Sequence, residues 1–115
     1  AKISDDAHSY IHRAIRYLEA HYTESLSIPL IASHTGVSAI YLNRIFKLST
    51  GKTVSEYLND YRIAQSLPLL ADPSRTIAHI SEAVGYGDVR SYIRFFKKFY
   101  GMTPSEYRKN PPSQP

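Results

Sequence analysis

Residues 44–57 read RIFKLSTGKTVSEY, and residues 94–107 read RFFKKFYGMTPSEY. Laid over each other at an offset of 50, the two stretches are identical at eight of fourteen positions: Arg44/Arg94, Phe46/Phe96, Lys47/Lys97, Gly51/Gly101, Thr53/Thr103, Ser55/Ser105, Glu56/Glu106 and Tyr57/Tyr107. Unrelated pairing at ordinary composition gives roughly one match in fourteen to twenty, so the chain contains a duplicated unit. Glycine, threonine, glutamate and the aromatic residues are explained by caps and core alone. Arg44/Arg94 and Lys47/Lys97 are not, because cations one helical turn apart on one face add little to folding. Their recurrence points to two copies that act on the same kind of partner.

On either side of the repeat, apolar residues recur at steps of three and four, and two-residue alternation never persists, so the chain reads as all-α. Ala7, Ile11, Ala14, Ile15, Leu18 and Tyr22 predict a first helix from Asp5 to Tyr22, with two aspartates at its dipole-favoured end. Ser27 caps a short helix that Gly36 stops, and Ser38 caps the next, which runs through Leu42, Ile45 and Phe46 to Gly51. That is a helix-turn-helix pattern. Thr53-Val54-Ser55-Glu56 has the spacing of a capping box and opens a longer helix, which Pro68 is expected to kink or end. Asp72-Pro73-Ser74 is a loop. Thr76 caps a helix that Gly85 stops, Asp88 caps one through Tyr92 and Phe96 to Gly101, and Thr103-Pro104-Ser105-Glu106 starts the last. The predicted organisation is one helix-turn-helix subdomain over residues 1–52, a linker helix over 53–71, a second subdomain over 72–109 and a disordered tail over 110–115. The opening at Ala1, with no initiator Met, leads to the expectation that the sequence is a piece of a longer chain.

Several function classes are set aside by composition. The 115 residues hold no cysteine, which excludes disulfides and thiolate chemistry, and no apolar run approaches the roughly 20 residues of a membrane span. His8 and His12 lie one turn apart without a third ligand, and the other histidines are expected to be solvated or capping, so no metal or other cofactor is expected. There is no phosphate-binding glycine loop, nucleophile elbow or paired-carboxylate motif, and the chain is not expected to be an enzyme. Ten tyrosines suggest single-strand stacking platforms, but Tyr41, Tyr57, Tyr61, Tyr92 and Tyr107 fall on core-facing phases. The net charge of +4 is uneven: residues 38–52 and 86–101 carry +3 each, while 1–37 carry −1, 53–85 carry −2 and 102–115 carry +1.

Both basic segments are the second helices of the two units, and each carries an outward stripe: Ile40, Asn43, Arg44 and Lys47 in one, Arg90, Ile93, Arg94 and Lys97 in the other. A major groove admits one α-helix, and its base edges suit these side chains. Arg44, Arg90 and Arg94 match guanine O6 and N7, Asn43 matches adenine, and Ile40 and Ile93 match thymine methyls. Lys47, Lys97 and the hydroxyls of Ser38 and Ser91 are assigned to phosphates. Two reading helices meet successive grooves about 34 Å apart, and a linker of at most 18 residues spans about 27 Å. The competing reading is a helical protein-interaction module whose basic faces meet an acidic partner.

At these residues the sequence resembles the DNA-binding domain of the arabinose-regulator (AraC/XylS) family of bacterial transcription regulators, over roughly Leu26 to Arg108. The most specific part is Ile80, Val84-Gly85-Tyr86, Asp88, Arg94, Phe96-Lys97-Lys98, Gly101-Met102-Thr103-Pro104 and Tyr107-Arg108; Ala32, Ser38, Tyr41-Leu42, Arg44, Phe46-Lys47, Gly51 and Arg62 agree in the first half. The resemblance implies two homeodomain-like three-helix subdomains joined by a long linker helix, and a sequence-specific activator, sometimes a repressor, whose helices enter adjacent major grooves. Carried over by position, the reading residues are Ile40, Asn43 and Arg44, then Val89, Arg90 and Arg94. It further implies a double-stranded DNA operator and RNA polymerase as partners, an additional N-terminal sensor or dimerisation domain in the parent protein, no membrane association, and a bacterial cytoplasmic location on the nucleoid. Three positions depart from the family pattern: Pro68 within the linker helix, and Arg90 and Ile93 where small polar residues are common.

Overall fold

A computed structural model describes residues 3–112 of the chain. Within them the backbone forms seven helices and no strand: α1 (Asp5–His21), α2 (Ile28–Thr35), α3 (Ala39–Thr50), α4 (Val54–Leu70), α5 (Ile77–Ala83), α6 (Val89–Tyr100) and α7 (Pro104–Lys109). The caps explain the boundaries. Ser4, Ser27, Ser38, Thr76, Asp88 and Thr103 are extended and accept side-chain hydrogen bonds from the first turns of α1, α2, α3, α5, α6 and α7. Gly51 and Gly101, fifty residues apart, close α3 and α6 at φ +80° and +72°, in the left-handed region where a Cβ is penalised. Both capping boxes form with matching lengths: the Thr53 and Thr103 N–H groups donate to Glu56 and Glu106 at 2.8 Å, and the Glu N–H groups donate back to the threonine hydroxyls at 3.1 Å.

The chain divides into two compact units between Asn59 and Asp60, inside α4. In the first unit, α1 packs on α2 and α3, and Ile11, Leu18, Ile31, Leu42, Ile45 and Phe46 form the core with Val54 and Leu58 from the start of α4. In the second, Ile63 and Leu70 from the end of α4 join Ile80, Val84, Tyr86, Tyr92, Phe96 and Pro104. Phe46 meets the edge of Tyr57 at 5.3 Å in the first unit, and Phe96 meets the edge of Tyr107 at 5.4 Å in the second. The repeated Phe/Tyr pairs are thus one packing solution used twice, each buried Phe contributing on the order of 1.5–3 kcal/mol.

At three places the structure sharpens the sequence expectations. Of the two outcomes expected at Pro68, a kink or an end, the end is corrected: α4 includes Pro68 and runs on to Leu70, within the span given to the linker, and Ala71 and Asp72 close its last turn through N–H bonds to Pro68 and Leu69. Pro68 has no N–H to donate to the carbonyl of Ala64 four residues back, and Ala64 is exposed. Of the five tyrosines assigned to core phases, Tyr92 is fully buried, Tyr57 and Tyr107 are half-buried with their rings against Phe46 and Phe96, and Tyr41 and Tyr61 are half-buried; Tyr86 is buried as well. The first helix ends at His21, with Tyr22 as its cap. The tail at residues 110–112 is exposed and non-helical, and the part of it at 113–115 lies outside the described residues. No helix among the described residues is long and apolar enough to cross a membrane.

Candidate nucleic-acid interface

The second helix of each unit, α3 and α6, follows a short turn closed by a side-chain cap. Ser38 Oγ accepts from the Tyr41 N–H at 3.1 Å, and Asp88 Oδ1 accepts from the Arg90 N–H at 2.9 Å. The Asp88 carboxyl is held below the ordinary carboxylate range, first by this backbone N–H and further by the cations of Arg90 and Arg94. Leu42, Ile45 and Phe46 of α3, and Tyr92 and Phe96 of α6, face their cores. The phase of a 3.6-residue helix then turns Ile40, Arg44 and Lys47 outward in one unit and Arg90, Arg94 and Lys97 outward in the other.

Ile40 is 84% exposed, the most exposed large apolar side chain among the described residues. The Arg44 guanidinium lies over the Tyr41 ring at 5.5 Å, and Arg94 lies over Phe95 at 5.2 Å. Each arginine therefore stands on an aromatic neighbour of its own helix, which limits its rotamers while leaving the donors accessible. Arg90 is 87% exposed, and its Nε sits 3.4 Å from Asp88 Oδ1. Lys47 Nζ lies 3.8 Å from Glu56 Oε1, across from the capping box of α4. Lys97 is exposed, and its charge helps lower the carboxyl of Glu106, the counterpart of Glu56.

Not every residue of the two predicted stripes faces outward. Asn43 is half-buried, and its Oδ1 accepts a hydrogen bond from the backbone N–H of Val54 at 3.0 Å. Ile93, its counterpart, is half-buried too, as are Val89 and Ser91. Ser38 is exposed.

Some positions escaped the sequence reading. Arg13 of α1 lies over Tyr10 at 5.8 Å, and Tyr10 meets Tyr41 edge-on at 6.4 Å, so two arginines and two tyrosines form a ladder from α1 to the outer face of α3. The signal was present as a repeated Tyr-x-x-Arg spacing at 10/13 and 41/44. In the second unit, Arg62 is buried over Tyr86 at 5.4 Å, with burial lowering its pKa, and Arg108 bonds the carbonyls of Leu70 and Asp72. Both were legible only as family positions. Among the histidines, His34 stacks on Tyr17 at 4.1 Å and His21 pairs with Glu24 at 2.7 Å. No group of three potential metal ligands occurs among the described residues.

Against known proteins, a helix-turn-helix domain family matches residues 31–110. The Msm operon regulatory protein of Streptococcus mutans is 34% identical over 101 residues, which cover 88% of this chain and 36% of that protein. The chain thus spans little more than a third of that curated relative. The C-terminal domain of AraT, a response regulator from Geobacillus stearothermophilus, has a TM-score of 0.84 at 27% identity, covering 99% of this chain and 92% of that one. A transcriptional regulator with an AraC-type DNA-binding domain, from Chromobacterium violaceum, has a TM-score of 0.78 at 28% identity, covering 95% and 100%.

Proposed function

This chain belongs to the AraC-type family of helix-turn-helix domains, and from that premise we propose that it binds a double-stranded DNA operator, α3 and α6 each entering a major groove. The observation that carries the reading is the duplicated cationic face: Arg44 and Lys47 on α3, and Arg94 and Lys97 on α6, are exposed at equivalent positions of two units. A face retained in both copies without a core function is explained by a partner that repeats, and a duplex repeats its groove every turn.

In this reading Arg44, Arg90 and Arg94 take guanine edges, while Ile40 and the exposed parts of Val89 and Ile93 lie against thymine methyls. Ser38, Lys47, Ser91 and Lys97 meet phosphates and set the position of each helix in its groove. Asn43, whose oxygen is engaged by the Val54 N–H, stands apart from this set. The parent protein acts as a transcription regulator in the bacterial cytoplasm, with RNA polymerase as its downstream partner and with no enzymatic step of its own. The greater length of the Streptococcus relative supports a further sensing or dimerisation domain in the parent.

Selection of bound sites from a random duplex library, followed by binding at rising salt, tests the proposal. Two short preferred blocks about one helical turn apart are expected, with affinity falling steeply as salt releases counterions from several phosphate contacts. No enriched blocks together with a shallow salt dependence would reject it in favour of an acidic protein partner.

A further inference from the structure

Asn43 and Val54 are eleven residues apart, and their hydrogen bond joins the middle of α3 to the first position of α4. Val54 is fully buried. The first N–H groups of a helix have no acceptor within it, and a buried donor left unpaired is costly. The capping box of α4 uses the N–H groups of Thr53 and Glu56, so the Val54 N–H needs an acceptor from outside the helix. Asn43 supplies it. The assignment of the amide is forced, since a backbone N–H can face only the oxygen.

The second unit solves the same problem differently. At the offset of 50, Ile93 stands for Asn43 and Pro104 stands for Val54. Pro104 is buried at the first position of α7 and has no N–H, while the capping box around it keeps the lengths found at α4. Where the buried donor exists an acceptor faces it, and where proline deletes the donor the acceptor position is hydrocarbon.

We infer that Asn43 is a positioning residue, which ties α3 to the start of α4 and thereby holds Ile40 and Arg44 in place, and that it does not read a base. An amide reads adenine by presenting its oxygen and its nitrogen together, and in Asn43 the oxygen is turned onto the α4 backbone. The consequence for recognition rests on the operator-binding proposal above; the pairing of positions 43 and 54 does not.

The experiment transplants the second unit's solution into the first. Five 115-residue chains are compared: the parent, Asn43→Ile, Val54→Pro, the double variant and Asn43→Asp. Urea unfolding midpoints and affinity for a selected operator are measured on each. Asn43→Ile is expected to weaken operator binding about tenfold and lower the midpoint, with the double variant returning to within about threefold of the parent. The base preferences of the double variant are expected to match the parent at every operator position. Asn43→Asp keeps the acceptor but loses the amide donor, and is expected to keep the parent's base preferences even if Asn43→Ile does not fold. Loss of preference at one adenine in Asn43→Asp or the double variant overturns the inference, as does strict additivity of the two midpoint changes. If the parent itself binds no duplex, the operator proposal fails, and recovery or additivity of the midpoints still decides the pair.

Discussion

Arg108 Nε donates to the carbonyl oxygen of Leu70 at 3.0 Å across 38 residues of sequence, and Arg108 Nη2 reaches the Asp72 carbonyl at 3.3 Å. Leu70 is the last residue of α4 and Arg108 lies in α7, so one guanidinium satisfies a carbonyl that the end of a helix leaves without an intrahelical donor and also reaches the loop carbonyl of Asp72, which the Arg75 N–H shares. The short α7 is fixed to the second unit by this fork as well as by the packing of Tyr107 on Phe96.

Arg108→Ala is therefore expected to destabilise the second unit by about 1–3 kcal/mol, read as a lower urea midpoint. Arg108→Lys should recover little of it, because an ammonium lacks the planar fork that spans both carbonyls. Base preferences on selected operators should not change in either variant; a relaxed preference would mean that Arg108 also meets DNA.

Arg44→Ala and Arg94→Ala are each expected to cost about 1–3 kcal/mol on a selected operator and to relax base choice within one block only. Lys47→Ala should weaken all duplexes alike and reduce the salt slope by about 1. Competition binding against single-base operator variants distinguishes the two patterns. Equal losses on every sequence in the arginine variants would remove Arg44 and Arg94 from base reading.

Glu56 both completes the capping box of α4 and lies 3.8 Å from Lys47. Glutamine retains the cap, since its side-chain oxygen also accepts the Thr53 N–H, but it removes the negative charge beside the lysine. Glu56→Gln is expected to tighten binding to random duplex a few-fold at low salt, with the gain disappearing as salt rises, measured by fluorescence anisotropy. An unchanged or weaker affinity would show that Lys47 does not approach phosphate.

Three exposed carboxylates titrate below their ordinary range: Asp72, held first by the Ser74 hydroxyl, Asp88, held first by the Arg90 backbone N–H, and Glu106, held first by the Thr103 backbone N–H. Their folded-state pKa values are depressed, so the stability they add is present above the unfolded values and is lost as pH falls through the folded ones. The urea midpoint is expected to stay level from pH 7 to about 5 and to decline below about pH 4. Glu106→Gln keeps the capping geometry without the titration and should remove part of that decline.

The helices, their caps and the duplication were legible in the linear chain because they rest on local physics. A 3.6-residue apolar period needs only a core to face, a serine or threonine cap satisfies a donor three residues on, and a glycine past the last turn meets a backbone requirement within its own neighbourhood. The same locality made Arg44, Lys47, Arg94 and Lys97 recognisable as an outer face. Tertiary structure decided the rest. Asn43 shares a helical stripe with Ile40 and Arg44, yet it turns to the buried N–H of Val54; Arg62 enters the core over Tyr86; Arg108 closes the end of α4; and α4 passes through Pro68 to Leu70. Each of these choices is made by a backbone group or ring that comes close only when another helix is packed in place. An unsatisfied polar group or an unfilled surface acts through space, and neither has a fixed offset along the chain.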